Sequence, residues 1–517
     1  MKKTVVLVSL MAAAQAFAGF ANGTFYINNS TNDNTAEGHE TVYAQFAGNA
    51  TYEIFSLKAG KNLNLVPGDA HATTIQTMTL NENSGLIFGT HSGSKSGKSY
   101  LTALKLESLT MNSGSAMTIN TATTVRIDSL TQGENAQIKV GDNATVLVKV
   151  TPGGAWNDLS KISLTGTNAR KGYTVSGSFG DNGLLLEAAT GNVIELSGAT
   201  GILGGSGETV VTKDVILTNP GSAAAEFTTI QGDSYTFNGA ISGNGNFIFG
   251  QADKDVTVTL NGDLSGWSTS NDQWGGFRNS AGKVTVNMND EGTVNAAFNV
   301  HTLHIGADAT LNKYIAVTNF SVAAGKTVST TQHFAADSVT LADGAHLTLD
   351  TSAPTRTIQA LTLGAGADVT LNYNDSHAGK TLVTSSLTLT GNSAINANLT
   401  VSDGGEMDFS SGAVLTMGCS VEIGDNVTVK IDESIIEGII SGGQTVAIIT
   451  NAEAITSLDN KTWHFRNADG DSLDWANLRL EVGKDGTSIV VAPEPATATL
   501  SLLALAAFCA RRKRQGT

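Results

Sequence analysis

Hydrophobic positions along the chain recur at every second residue in short bursts, each interrupted by a Gly- and Asx-rich turn and then resumed. The unit reads IKVGDNATVLV from Ile138, LHIGADATLN from Leu303, VTLADGAHLTLD from Val339, LTLGAGADVTLN from Leu361 and VEIGDNVTVKI from Val421. Successive side chains of a strand point to opposite sides, so a period of two puts Val339 and Leu341, then Leu347 and Leu349, on one face. Gly344 supplies the positive φ that a tight corner between the two strands requires. Leu341 and Leu363 hold matching places 22 residues apart, and Leu387 begins a further copy. The predicted elements are short strands with one dry side each.

One such repeat cannot bury its own apolar face, whereas stacked repeats about 4.8 Å apart bury a continuous core and pair every backbone group. The spacing therefore predicts an all-β fold, a right-handed parallel β-helix or β-solenoid. Only 6 prolines interrupt 517 residues, as ladders that need every N–H demand. The competing fold is a β-sandwich array, but sandwiches favour two-residue hairpins at regular spacing, and these copies drift in length. Repeats are expected over 19–430. A capping β unit with a short helix is expected over 431–492, where Ile435, Ile436, Ile439 and Ile440 recur at helical spacing behind Asp432 as N-cap and Gly442 and Gly443 stop the run. The segments TVAIIT, LRLEV and SIVVA complete that unit. The Gly-rich stretch from Thr190 to Glu208 reads equally as a boundary or as further turns.

Composition narrows the function. The chain has 57 Gly, 15% charged and 6% aromatic residues, and low charge with near-neutral hydropathy marks a folded chain rather than a disordered one. Its formal charge is −16, and it becomes −21 without the two ends, which hold six basic residues and one acidic. Such a body repels phosphate backbones, so nucleic acid is excluded as a partner. Lys2, Lys3, an apolar run from Val5 to Ala14, and small residues at Ala16 and Ala18 before Gly19 form a secretory signal peptide over 1–18. The two cysteines, Cys419 and Cys509, build no disulfide framework, and Cys419 in AVLTMGCSVEIG reads as a small buried strand residue.

Candidate chemistry is sparse. Asn467, Asp469, Asp471 and Asp474 in NADGDSLD offer oxygens, but without the spacing or closing Glu of a calcium loop. Asp253 and Asp255 flank Lys254 on one strand face, a separation compatible with a glycosidase pair, though a solvated corner explains them better. His301 and His304 are three apart and on a straight strand face opposite sides, which excludes a shared metal. Trp267 and Trp274, with Phe277, Asn271 and Asp272, are of the types that stack on and hydrogen-bond a sugar, and we take the two tryptophans as candidate glycan contacts. No catalytic residue, metal site or cofactor is expected.

The C-terminal 25 residues carry the sharpest motif. Pro493, Glu494 and Pro495 fix an extended stretch, Ala496 to Ala510 is apolar, and Arg511, Arg512, Lys513 and Arg514 form a basic stop cluster. An apolar run of fifteen is short for the ~20 residues of a stable span. Pro-Glu-Pro, a short apolar helix and a terminal basic cluster together resemble the PEP-CTERM sorting signal. This resemblance implies an exported protein of a Gram-negative bacterium that is recognised at Pro493, Glu494 and Pro495 by an exosortase-type membrane transpeptidase. It further implies a tail that meets the membrane only transiently through its helix and a body delivered to the cell envelope, outer surface or extracellular matrix. The run departs from the family in lacking the Gly often found there. The segment Ile241 to Phe277 resembles autotransporter passenger repeats in its Gly-Asn corner and following strand, which implies passenger-like architecture alone.

These readings converge on a non-enzymatic, structural or adhesive protein that meets exopolysaccharide or a host glycan. The alternative is a polysaccharide lyase or glycoside hydrolase on a β-helix, which requires a cleft of clustered acids, bases and aromatics.

Overall fold

The computed structural model describes residues 24–27, 39–42, 51–57, 59–60, 62–65, 72–88, 103–120, 122–150, 156–179, 183–204, 207–218, 224–227, 233–250, 254–270, 274–350, 353–372, 379–432, 434–436, 439, 444–473 and 476–493. The chain divides into two compact units, Met1–Gly232 with Phe237–Gly245 and Asp233–Thr236 with Asn246–Thr517. Strands dominate both, and long parallel sheets organise them.

In the first unit, Thr51–Leu57, Ala72–Leu80, Ala103–Met111, Thr124–Ile127, Thr145–Val150, Arg170–Ser178, Val193–Thr200 and Asp214–Thr218 pair in that order, each parallel to the next. A second sheet runs Asn62–Leu65, Gly85–Phe88, Ala116–Ile119, Gln137–Val140, Ile162–Leu164. The register stacks like on like. Leu106, Ile127, Val148, Tyr173, Ile194 and Val215 form one buried column; Leu86, Met117, Ile138 and Ile162 form another. Each buried Val or Leu contributes roughly 1.5–3 kcal/mol relative to exposure.

The second unit repeats the scheme. The matched leucines of the sequence pair directly, Leu341 with Leu363 and Leu363 with Leu389. The buried column runs Val258, Val286, Leu303, Phe320, Val339, Leu361, Leu387, Met407, Val429 and Phe465. Its steps range from 17 residues (Leu303 to Phe320) to 36 (Val429 to Phe465); insertions fall in the connections while the paired positions hold register. Val339, Leu341, Leu347 and Leu349 are all buried.

Several strands turn a corner without ending. Phe298–Ile305, Ile315–Val322 and Phe334–Leu341 each bury the first, third, sixth and eighth residues, so alternation skips one position in the middle. Sharper corners use a left-handed residue: Gly344 has φ 66° and Asn426 φ 58°, values reached without strain by Gly and tolerated by Asn. These corners also bond to one another. The Gly325, Gly344 and Gly366 amides donate to the carbonyls of Asp343, Ala365 and Asn392 in the following repeat, at 2.6–2.8 Å. Corner carboxylates do the same work: Asp343 accepts from the Ala365 amide, Asp403 from Asp425, and Asp425 from Thr462. The abundance of Asp and Asn at turns thus has a structural cause, since each satisfies an amide that the sheet leaves unpaired.

The parallel pairing changes at the end of the second unit. Residues 434–436 and 439 are helical, with Ile436 and Ile439 buried, and the Asp432 carboxylate accepts the Ser434 amide at 2.9 Å as an N-cap does. Ile440, Gly442 and Gly443 lie outside the described residues. Val446–Thr450, Leu478–Val482 and Ile489–Pro493 form an antiparallel trio with Ile489–Pro493 in the middle. Among the described residues no helix is long and apolar enough to cross a membrane.

Candidate functional site

The outer face of the second unit's long sheet carries rows of polar side chains in register. Opposite the buried column, one row runs Thr259, Asn287, His304, Ser321, Thr340, Thr362 and Thr388. A parallel row two residues earlier on each strand begins at Thr257 and ends at Ser386. Rungs of a parallel sheet repeat every ~4.8 Å, and residues two apart on a strand stand ~7 Å apart. The rows therefore form a grid of hydroxyls and amides, with His304 in one row and Ala360 in the other. Neighbours are linked along it: His304 Nδ1 and Ser321 Oγ lie 2.8 Å apart, and the Asn319 amide donates to Thr302 Oγ1 at 3.3 Å. Both rows hold only uncharged residue types and His304 until Glu406 and Asp408, after which Lys430 and Arg466 follow. Lys430 binds Glu406 at 2.8 Å.

The two candidate tryptophans part company. Trp267 is 0% exposed, edge-on to Phe247 at 5.5 Å and to Phe298 at 6.1 Å. Phe277, also buried, stacks on Phe249 at 4.8 Å. Trp267 and Phe277 therefore have no face for a sugar, because these aromatics pack into the core. Trp274 is 64% exposed, with the Arg278 guanidinium 5.9 Å from its ring centroid. Asn271 and Asp272 lie outside the described residues.

A second constellation, in the first unit, has no counterpart in the sequence reading. Glu195 is 1% exposed, and its carboxylate accepts hydrogen bonds from Arg126 at 2.5–3.1 Å and from Thr174 Oγ1 at 2.7 Å. Arg126 stands opposite Leu147, Leu147 opposite Gly172, and Gly172 opposite Val193, so its side chain spans two intervening strands to reach Glu195. No side chain fits at Gly172, where a Cβ would stand 1.7 Å from the Val193 carbonyl oxygen. The Glu195 carboxylate holds the Arg126 guanidinium above its usual pKa despite burial. With both oxygens engaged, Glu195 fastens strands together. An acid inside the run VIEL is the visible signal; its partner, 69 residues away, is not.

The remaining candidates fall into structural roles. His301 and His304 both lie on the outer side, contrary to the alternation of a straight strand, because Phe298–Ile305 turns its corner at 301–302. They bond separately, His301 beside Thr302 and His304 beside Ser321. Asp255 accepts the Lys283 amide at 3.3 Å, a corner contact, and Asp253 lies outside the described residues. Asn467 closes its own loop by accepting the Asp471 amide at 2.7 Å; Asp474 lies outside the described residues. Among the described residues no group of three or more His, Cys, Asp or Glu gathers to hold a metal. Cys419 is buried, which pushes its thiol pKa up. Of the sorting motif, Pro493 ends the central antiparallel strand, whereas Glu494, Pro495, Arg511, Arg512, Lys513 and Arg514 lie outside the described residues, as do Ala16, Ala18 and Gly19. No family model matches the chain, and no curated protein or solved structure matches it either.

Proposed function

We propose that the chain is an exported, surface-displayed or matrix-associated structural and adhesive protein, built as a right-handed parallel β-helix and sorted by an exosortase-type transpeptidase. The observation that carries the adhesive reading is the pair of rows from Thr257 and Thr259 to Ser386 and Thr388, polar at every position but Ala360 and without Asp, Glu, Lys or Arg. The two rows carry no fixed charge between these ends although the body's formal charge is −21, which suits a neutral polymer such as exopolysaccharide. Trp274 adds an exposed ring of the kind that stacks on sugars. The parallel ladders and like-on-like columns support the β-helix; the Pro-Glu-Pro tail supports the sorting route. The test is incubation of the exported protein with a panel of neutral and acidic glycans. Binding of neutral chains without product release is expected, whereas turnover of any of them sinks the structural reading in favour of a lyase or hydrolase.

A further inference from the structure

The strand that leads into Pro-Glu-Pro is held on both sides. Ile489–Pro493 pairs antiparallel with Leu478–Val482, with Leu478 opposite Pro493 and Leu480 opposite Val491, and with Val446–Thr450, with Val446 opposite Val491. Ile489, Val490, Val491 and Ala492 are all buried. A tight loop anchors its start: the Asp485 carboxylate accepts the Thr487 amide at 2.9 Å and both the amide and hydroxyl of Ser488, and the Gly483 amide donates to the Ser488 carbonyl. The first residue of the motif is therefore the last residue of a central strand, and no spacer separates the folded end from Glu494.

Enzymes that cut chains bind several residues on each side of the scissile bond in extended form, and cleavage of a structured site tracks the population of its opened state. We propose that the antiparallel trio gates processing: the sorting enzyme acts at Pro-Glu-Pro only when Ile489–Pro493 peels from its two neighbours. Once the trio has formed, the gate slows removal of the tail relative to a chain whose strand has not yet docked. It also leaves the cleaved product with the trio complete, because the strand lies on the body side of the cut. This proposal rests on the reading of Pro493, Glu494 and Pro495 as the sorting motif.

The experiment follows tail loss of the full chain by pulse-chase and mass spectrometry in an exporting Gram-negative host that carries a sorting enzyme of this class. Three chains are compared: the natural one, one with six Gly/Ser residues inserted between Ala492 and Pro493, and Glu494→Ala. The insertion is expected to speed tail loss by about tenfold or more, as removal of an opening step does, while amide exchange at 490–492 stays slow and shows that the trio still forms. Tail loss at the same rate with and without the insertion overturns the gate. Tail loss unaffected by Glu494→Ala overturns the motif reading and the gate with it, whereas tail loss that needs Glu494 but ignores the insertion overturns the gate alone.

Discussion

The outer face around Glu195 in the first unit and the outer face from Thr257 to Thr388 in the second lie over the same kind of core. Tyr173, Ile194 and Val215 stack inward in one, and Val339, Leu361 and Leu387 in the other. Outward they differ. Leu147, Gly172, Val193 and Glu195 are buried while Arg126 and Thr174 stay part-exposed, so the centre of the first face is sealed and holds its charge in an ion pair. The second leaves Thr302, Ser338 and Thr362 half-buried and Thr340 exposed. The inward column sets the fold in both units, and the outward one decides whether a face serves cohesion or contact.

The largest effect should come from breaking the sealed face. Arg126→Ala leaves the Glu195 carboxylate buried without its cation, which costs about 3–5 kcal/mol for a fully buried pair. Arg126 keeps 33% of its side chain exposed, so screening reduces the expected loss to roughly 2–4 kcal/mol. Urea denaturation followed by amide exchange on Val193–Thr200 measures it. The double change Arg126→Met with Glu195→Leu should recover most of the loss, since an apolar pair suits a sealed face. A double variant as unstable as the single would mean that water reaches Glu195 and that the two faces are alike.

The comparison also marks what the sequence could disclose. Period-two patterning identified Val339, Leu341, Leu347 and Leu349 as one buried face, and the 22-residue offset paired Leu341 with Leu363, because both signals are local or translational. Gly344 and Asp432 were readable for the same reason: turn and cap chemistry depends on immediate neighbours. The sides of His301 and His304 were not, because a corner inside a continuous strand shifts the parity with no Gly or Asn at 301–302 to announce it. Trp267 and Trp274 sit seven residues apart in the sequence, and only the edge-on ring contacts with Phe247 and Phe298 mark Trp267 as core. The pairing of Arg126 with Glu195 depends on three successive strand registers, each set by connections of unequal length.

Acid should distinguish two corners of the second unit. The amides of Thr462 and then Asn426 hold the Asp425 carboxyl below its usual pKa. Its folded value lies under its unfolded one, so it stabilises the fold above the unfolded pKa and loses that contribution as pH falls through the folded pKa. Asp290 is pushed the other way, first by burial and then by Asp263 and Glu291. As pH falls through its raised pKa it takes up a proton more readily folded than unfolded, and the fold gains. Hydrogen exchange, corrected for its intrinsic pH dependence, should therefore show the Thr462 amide losing protection in acid while Leu264, which donates to Asp290 at 2.9 Å, does not lose it in the same range. Parallel loss at both would mean that the corners open together.

The smallest effect on stability should come from the open face, and it bears most directly on function. Thr340→Val with Thr362→Val replaces two neighbouring hydroxyls of one row by isosteric methyls on strands that favour β-branched residues. Both sites touch water, so stability should change by less than about 0.5 kcal/mol. A polymer that lies along the row loses two hydrogen bonds worth about 0.5–1.5 kcal/mol each, which lowers neutral-glycan affinity roughly fivefold to a hundredfold. The same pair of changes on a sealed face would leave hydrogen-bonding groups buried without partners and register in the unfolding midpoint instead. Affinity that falls while the midpoint holds would identify the grid as a contact surface. A midpoint that falls while affinity holds would return these rows to cohesion, and Trp274 would be left as the remaining exposed candidate for the glycan.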